Sequence, residues 1–126
     1  MSREKKSVVG KVGYCDNKVL NIRNKTGGFS GGHYVYIRTC RNGKCDVNII
    51  TSLEDKRGIY QDIKIDKVKR GYLYPIPKSD GNFSQWSAVN LDGNIKGVKL
   101  SDIQNIGKKG FKKRHRFFVG KFTKKK

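Results

Sequence analysis

The chain is short of acid. Against 29 Lys and Arg its 126 residues carry only 10 Asp and Glu, for a formal charge of +19. Such an imbalance repels itself and draws polyanions, which argues against a protein that blocks a nucleic-acid enzyme by mimicking its acidic substrate. Nucleic acid is the first partner to expect, because neutralised phosphates release counterions; a membrane surface is the second. Long apolar runs are also missing. None nears the ~20 residues of a spanning helix, and the basic start MSREKKSVVGKVG lacks the apolar centre of a secretory signal. A cytoplasmic protein with no membrane partner is therefore expected. Cysteine is scarce: Cys15, Cys40 and Cys45 are an odd number with no second close pair, which argues against a disulfide scaffold. There is no Gly-rich phosphate loop ending in Lys-Ser/Thr, no HExxH and no paired CxxC, and the carboxylates are too scattered for a two-metal nuclease. No metal and no cofactor is expected.

Helical patterning is scarce too. What is present is a series of short runs rich in Val, Ile and Tyr, separated by Gly, Asn and Asp: SVVGKVGY, HYVYIRTC, CDVNIITSL, GYLYPIP, WSAVNL, GVKL and RFFVGKF. Their spacing predicts a mainly β fold, a small sandwich or barrel, in a single domain over 1–126. QDIKIDKV alternates apolar with polar residues and reads as a further strand. LSDIQNI carries Ser101 as an N-cap candidate for one short helical turn. The basic ends, 1–7 and 123–126, are expected to fray.

Asn42-Gly43 between β-rich runs is a type I′ hairpin signal. A turn there opposes Arg41 to Lys44, Cys40 to Cys45 and Thr39 to Asp46. Continued without interruption, this register opposes Ile37 to Asn48, Val35 to Ile50, Tyr34 to Thr51 and His33 to Ser52. Cys40 and Cys45 are then neighbours across a hairpin, best read as small half-buried residues; zinc wants four N or S ligands.

Three segments, in order, carry a family resemblance: KTGGFSGGHYVYI (25–37), VNIITS (47–52) and GVKLSDIQNIGKK (97–109), with RGYLYPIP between the last two. Over residues 25–109 the chain resembles the PemK/MazF-like toxin family. The resemblance implies a small SH3-like barrel with one or two short helical segments, commonly homodimeric. It implies a metal-independent endoribonuclease that cleaves single-stranded RNA and is neutralised by a cognate antitoxin protein. The family's hydroxyl-bearing strand end falls on Thr51 and Ser52; its Arg after the loop glycine falls on His33.

Cleavage of RNA without metal needs a base for the ribose 2′-OH, an acid for the leaving 5′ oxygen and donors for the phosphoryl oxygens. His33, after two glycines, is the candidate for proton transfer, with Thr51 and Ser52 as phosphate donors. His33 as a structural histidine and the hydroxyls as strand-end caps are the competing readings. For nucleic-acid binding the candidates are Arg38, Lys78, Phe83, Trp86, Lys112, Lys113, Arg114 and Arg116. Tyr72, Tyr74, Phe83 and Trp86 read either as core or as platforms for unpaired bases. Arg38 differs in strand parity from His33, so Arg23, Lys25, Lys78 or a tail residue is the alternative source of a catalytic cation. His115, set between arginines, suits phosphate or base contact better than catalysis. The alternative function is a basic β-barrel that binds nucleic acid without cutting it, of phage, plasmid or ribosome-associated type.

Overall fold

The structure is a computed structural model; it describes residues 8–55, 57–77, 83 and 85–109. The fold is mainly β. Among the described residues six strands form one antiparallel sheet: β1 (Val12–Asp16), β2 (Gly32–Arg41), β3 (Lys44–Ser52), β4 (Leu73–Ile76), β5 (Ser87–Lys99) and β6 (Gln104–Lys109), in the order β4-β5-β3-β2-β1-β6. Two short helices, α1 (Asn17–Leu20) and α2 (Asp62–Lys69), and a 3₁₀ turn at Leu100–Asp102 complete the elements of the described residues. That turn lies where LSDIQNI predicts it, although Lys99 rather than Ser101 is its N-cap. WSAVNL from Ser87 and GVKL up to Lys99 belong to one long strand, β5. SVVGKVGY becomes a strand only from Val12.

Both faces of the sheet bury apolar side chains. One carries Val12, Tyr36, Ile50, Ile76, Phe83, Val89 and Leu91; the other carries Cys15, Leu20, Val35, Ile37, Cys45, Val47, Val98 and Ile103. This is why YVYI and VNII read as nearly continuous apolar runs rather than alternating ones. Fully buried Ile and Val side chains such as Ile37, Ile76, Val35 and Val47 stabilise the fold by roughly 1.5–3 kcal/mol each.

The hairpin closes as expected, with Asn42 and Gly43 both at positive φ (54° and 76°) and the pairs Arg41↔Lys44, Cys40↔Cys45 and Thr39↔Asp46. The uninterrupted register does not hold beyond them. Between Thr39 and Ile37 a bulge leaves Arg38 without a partner, so the pairs become Ile37↔Val47, Tyr36↔Asn48, Val35↔Ile49 and Tyr34↔Ile50. Packing decides this. The one-residue slip places Ile37 on the same face as Val47 and leaves Tyr36 on the face that holds Ile50. Carried one step further, it brings His33 level with Thr51 rather than Ser52.

The strand expected at QDIKIDKV is instead helix α2. Apolar alternation is satisfied differently there: Lys64, Ile65 and Val68, spaced as one helix face, are half-buried, while Ile63 is 75% exposed. Val68 packs on Leu53, Leu73 and Ala88, beside Trp86. β5 is irregular against β3, with register shifts on both sides of the Val47–Asn48 pairs. Buried Asn48 secures one of them, donating from Nδ2 to the Asn90 carbonyl (3.0 Å) and to Asn94 Oδ1 (2.7 Å).

Candidate active site

One end of the sheet gathers the end of β1, the start of β2, the end of β3 and the start of β5. The loops there are tied down by their own polar groups. Asn24 Oδ1 accepts from the backbone N–H groups of Thr26 (3.1 Å) and Gly28 (3.0 Å), and Asn24 Nδ2 donates to Ser30 Oγ (2.8 Å). Gly32 is required at the mouth of β2: an added Cβ would meet the Cys15 carbonyl and the Tyr14 ring, the phenol oxygen at 2.6 Å.

This loop sets the state of His33. Asn17, buried at the start of α1, donates from Nδ2 to the Ser30 carbonyl at 2.8 Å. A carbonyl only accepts, so the Asn17 amide is fixed with Oδ1 towards His33 Nδ1, 2.8 Å away. Nδ1 therefore carries the proton, and Nε2 carries the lone pair, with no hydrogen-bond partner among the described residues. Burial, and then the positive charge of Lys64, hold the His33 pKa below its ordinary 6.5. The imidazole is neutral at neutral pH.

Lys64 reaches this end from α2. Its ammonium donates to Thr51 Oγ1 and to the Ser52 carbonyl, both at 2.8 Å. That uses two of its three N–H groups. Burial, and then Lys67, lower its pKa from 10.5. Because the Thr51 oxygen accepts from Lys64, the Thr51 proton is left to donate elsewhere. Ser52 is engaged differently. Its Oγ lies 2.6 Å from the Glu54 carbonyl and 3.0 Å from Gln85 Oε1, and accepts from the Glu54 N–H at 3.2 Å. It holds the turn out of β3. So His33, Lys64 and Thr51 come together through the β2–β3 register and α2, with Ser52 supporting them. A cavity of about 130 Å³ lies against the same strand end, with Tyr34, Thr51 and Phe83 in its wall.

Of the residues expected to bind nucleic acid, Arg38 is turned into the fold: its side chain is 13% exposed and lies 3.5 Å from Asp46. Phe83 is buried, in edge contact with Tyr34 at 5.4 Å between centroids, and Trp86 packs beside Leu53. Lys78, Lys112, Lys113, Arg114, His115 and Arg116 lie outside the described residues. At the far end, Cys40 and Cys45 are free cysteines with their sulfurs in contact, and burial followed by Cys40 pushes the Cys45 pKa up to about 12. Cys15 is held at about 11 by burial and by Asp102 and Asp16. Neither thiol is a nucleophile at neutral pH. Among the described residues no helix is long and apolar enough to cross a membrane.

Asn17 and Lys64 were not found from the sequence. Asn17 sits in an Asp-Asn pair that reads as a turn, and Lys64 is one of many lysines in a segment read as a strand. Read as a helix, that segment would have shown Lys64 beside Ile65 and Val68 on the inward face. No family model matches the chain, and no curated protein matches it.

Proposed function

We propose that this chain is a metal-independent endoribonuclease that cuts single-stranded RNA in the cytoplasm, similar to PemK/MazF-like toxins and built on a small SH3-like barrel. The observation that carries the reading is the Asn17–His33 hydrogen bond, which leaves a neutral imidazole with an unspent Nε2 lone pair, within reach of the charge on the half-buried Lys64. In this reading Nε2 takes the proton of a ribose 2′-OH. The 2′ oxygen attacks the adjacent phosphorus, and the bond from phosphorus to the 5′ oxygen breaks. The third N–H of Lys64 neutralises the phosphoryl oxygens and passes its proton to the leaving oxygen. Thr51 donates its hydroxyl proton to a phosphoryl oxygen. The products are a 2′,3′-cyclic phosphate and a 5′-hydroxyl; solvent then returns a proton to Lys64 and removes one from His33. The lowered Lys64 pKa makes it a better acid.

The net charge of +19 favours a second reading, a β-barrel module that binds nucleic acid and cuts nothing. Incubation with single-stranded RNA in EDTA separates the two. Discrete cuts ending in cyclic phosphate support the enzyme; tight, salt-sensitive binding to intact RNA supports the module. The resemblance also leads us to propose a cognate antitoxin and a homodimer. Ile59, Tyr60 and Ile63, all at least half or nearly half exposed around α2, offer a protein partner an apolar contact.

A further inference from the structure

The cavity at the end of β3 is walled by Tyr34 and Phe83 at 5.4 Å and 70° to each other, with Ile50 behind them and Thr51, Gln85 and Ser87 along its polar side. Its volume of about 130 Å³ is close to the ~150 Å³ that accepts one benzene ring. A single six-membered ring fits within it; a fused bicyclic ring projects beyond its open side. The polar side is specific as well. Ser87 Oγ donates to the Gln85 carbonyl at 3.1 Å and so presents lone pairs to the cavity. The Gln85 amide is spent on the Asp55 carbonyl and on Ser52 Oγ, which fixes this side rather than leaving it adaptable.

We propose that this cavity is a base pocket selective for pyrimidines, holding the base of the nucleotide whose phosphate lies at Lys64. Thr51 belongs to both places, touching Lys64 and lining the cavity. An N–H of the base donates to Ser87 Oγ, and the ring lies against Tyr34 and Phe83. The inference rests on the RNA-cleaving reading of the same strand end for its choice of ligand.

The test uses strands that cannot be cut. The full-length protein is titrated, at one fixed salt concentration, with a short abasic deoxyribose strand carrying one central deoxyuridine, and with the same strand carrying one deoxyadenosine. The pocket predicts about tenfold tighter binding of the deoxyuridine strand, the size of effect that one stacked base supplies. Ser87→Leu, which fills the cavity, removes that preference while leaving the salt dependence in place. Should Ser87→Leu fail to fold by circular dichroism, Phe83→Leu serves instead: it widens the wall and brings the two strands to equal affinity. Equal affinities in the wild type, or a preference that survives in a folded Ser87→Leu or Phe83→Leu, overturn the pocket. The outcome is independent of catalysis. Preference without RNA cleavage refutes the nuclease and keeps the pocket; cleavage without preference does the reverse.

Discussion

At His33 two effects act in the same direction: burial withdraws water from the imidazolium, and Lys64 adds a like charge. The base form is therefore kept to lower pH than an exposed histidine allows. The kcat/KM for RNA cleavage is expected to stay level from neutrality down past pH 6.5 and to fall only below it. The sign for stability follows. Between the folded and unfolded pKa values the unfolded chain binds more protons at His33. This contribution is thus whole above 6.5 and is lost as pH falls through the folded value. Lys64, also lowered, sets the alkaline limb below 10.5. Asn17→Asp places a carboxylate against Nδ1, and its expected effect is an upward move of the acid limb in the pH–rate profile; an unmoved limb would show that Asn17 does not control His33. Gly32→Ala, where a Cβ meets the Cys15 carbonyl and the Tyr14 ring, is expected to cost about 1–3 kcal/mol in urea denaturation.

At the scale of elements, α2 is the piece that completes the site. It presents one lysine inward and leaves Ile63 outside. Lys64→Met keeps the packed stem and removes the charge. The expected result is a roughly 10²–10³-fold loss in kcat, little change in melting temperature, and an acid limb shifted back towards pH 6.5 as the like charge on His33 disappears. The bulge at Arg38 makes a different prediction. Its Nε and Nη2 are buried without hydrogen-bond partners among the described residues, and Asp46 is 3.5 Å away. Arg38→Leu is therefore expected to change unfolding free energy by less than about 1 kcal/mol, or to raise it, because the desolvation cost goes with the charge.

These two elements mark how far the sequence could be read. The hairpin tip was legible because Asn42-Gly43 fixes a turn by local sterics. The bulge four residues away was not, because it follows from which face Ile37 and Tyr36 bury, a property of the assembled sheet. His33 and Thr51 were legible as residue types that suit the chemistry. Asn17 and Lys64 were not: each acts through a partner far along the chain, and neither amide nor lysine stands out in a sequence with 29 Lys and Arg. The strand expected at 61–68 failed because period-two alternation over a few residues also fits one face of a short helix.

At the scale of the whole molecule, the proposed reading divides the work between the charge of +19 and the polar end of the sheet. In that reading, charge gathers the strand without regard to sequence and the end of β3 supplies geometry. Affinity for single-stranded RNA is expected to fall steeply and log-linearly with salt, with a slope near 0.7 per neutralised phosphate. Removing His33 leaves that slope intact while chemistry stops. The deciding measurement is therefore made on one RNA with two proteins in EDTA, following both bound fraction and new ends. Wild type is expected to release fragments with 2′,3′-cyclic phosphate and 5′-hydroxyl ends. His33→Ala is expected to bind equally well and to cut ~10²–10⁴-fold more slowly. Intact RNA with the wild type, or undiminished cutting by a folded His33→Ala, would contradict the assignment of catalysis to this end of the sheet.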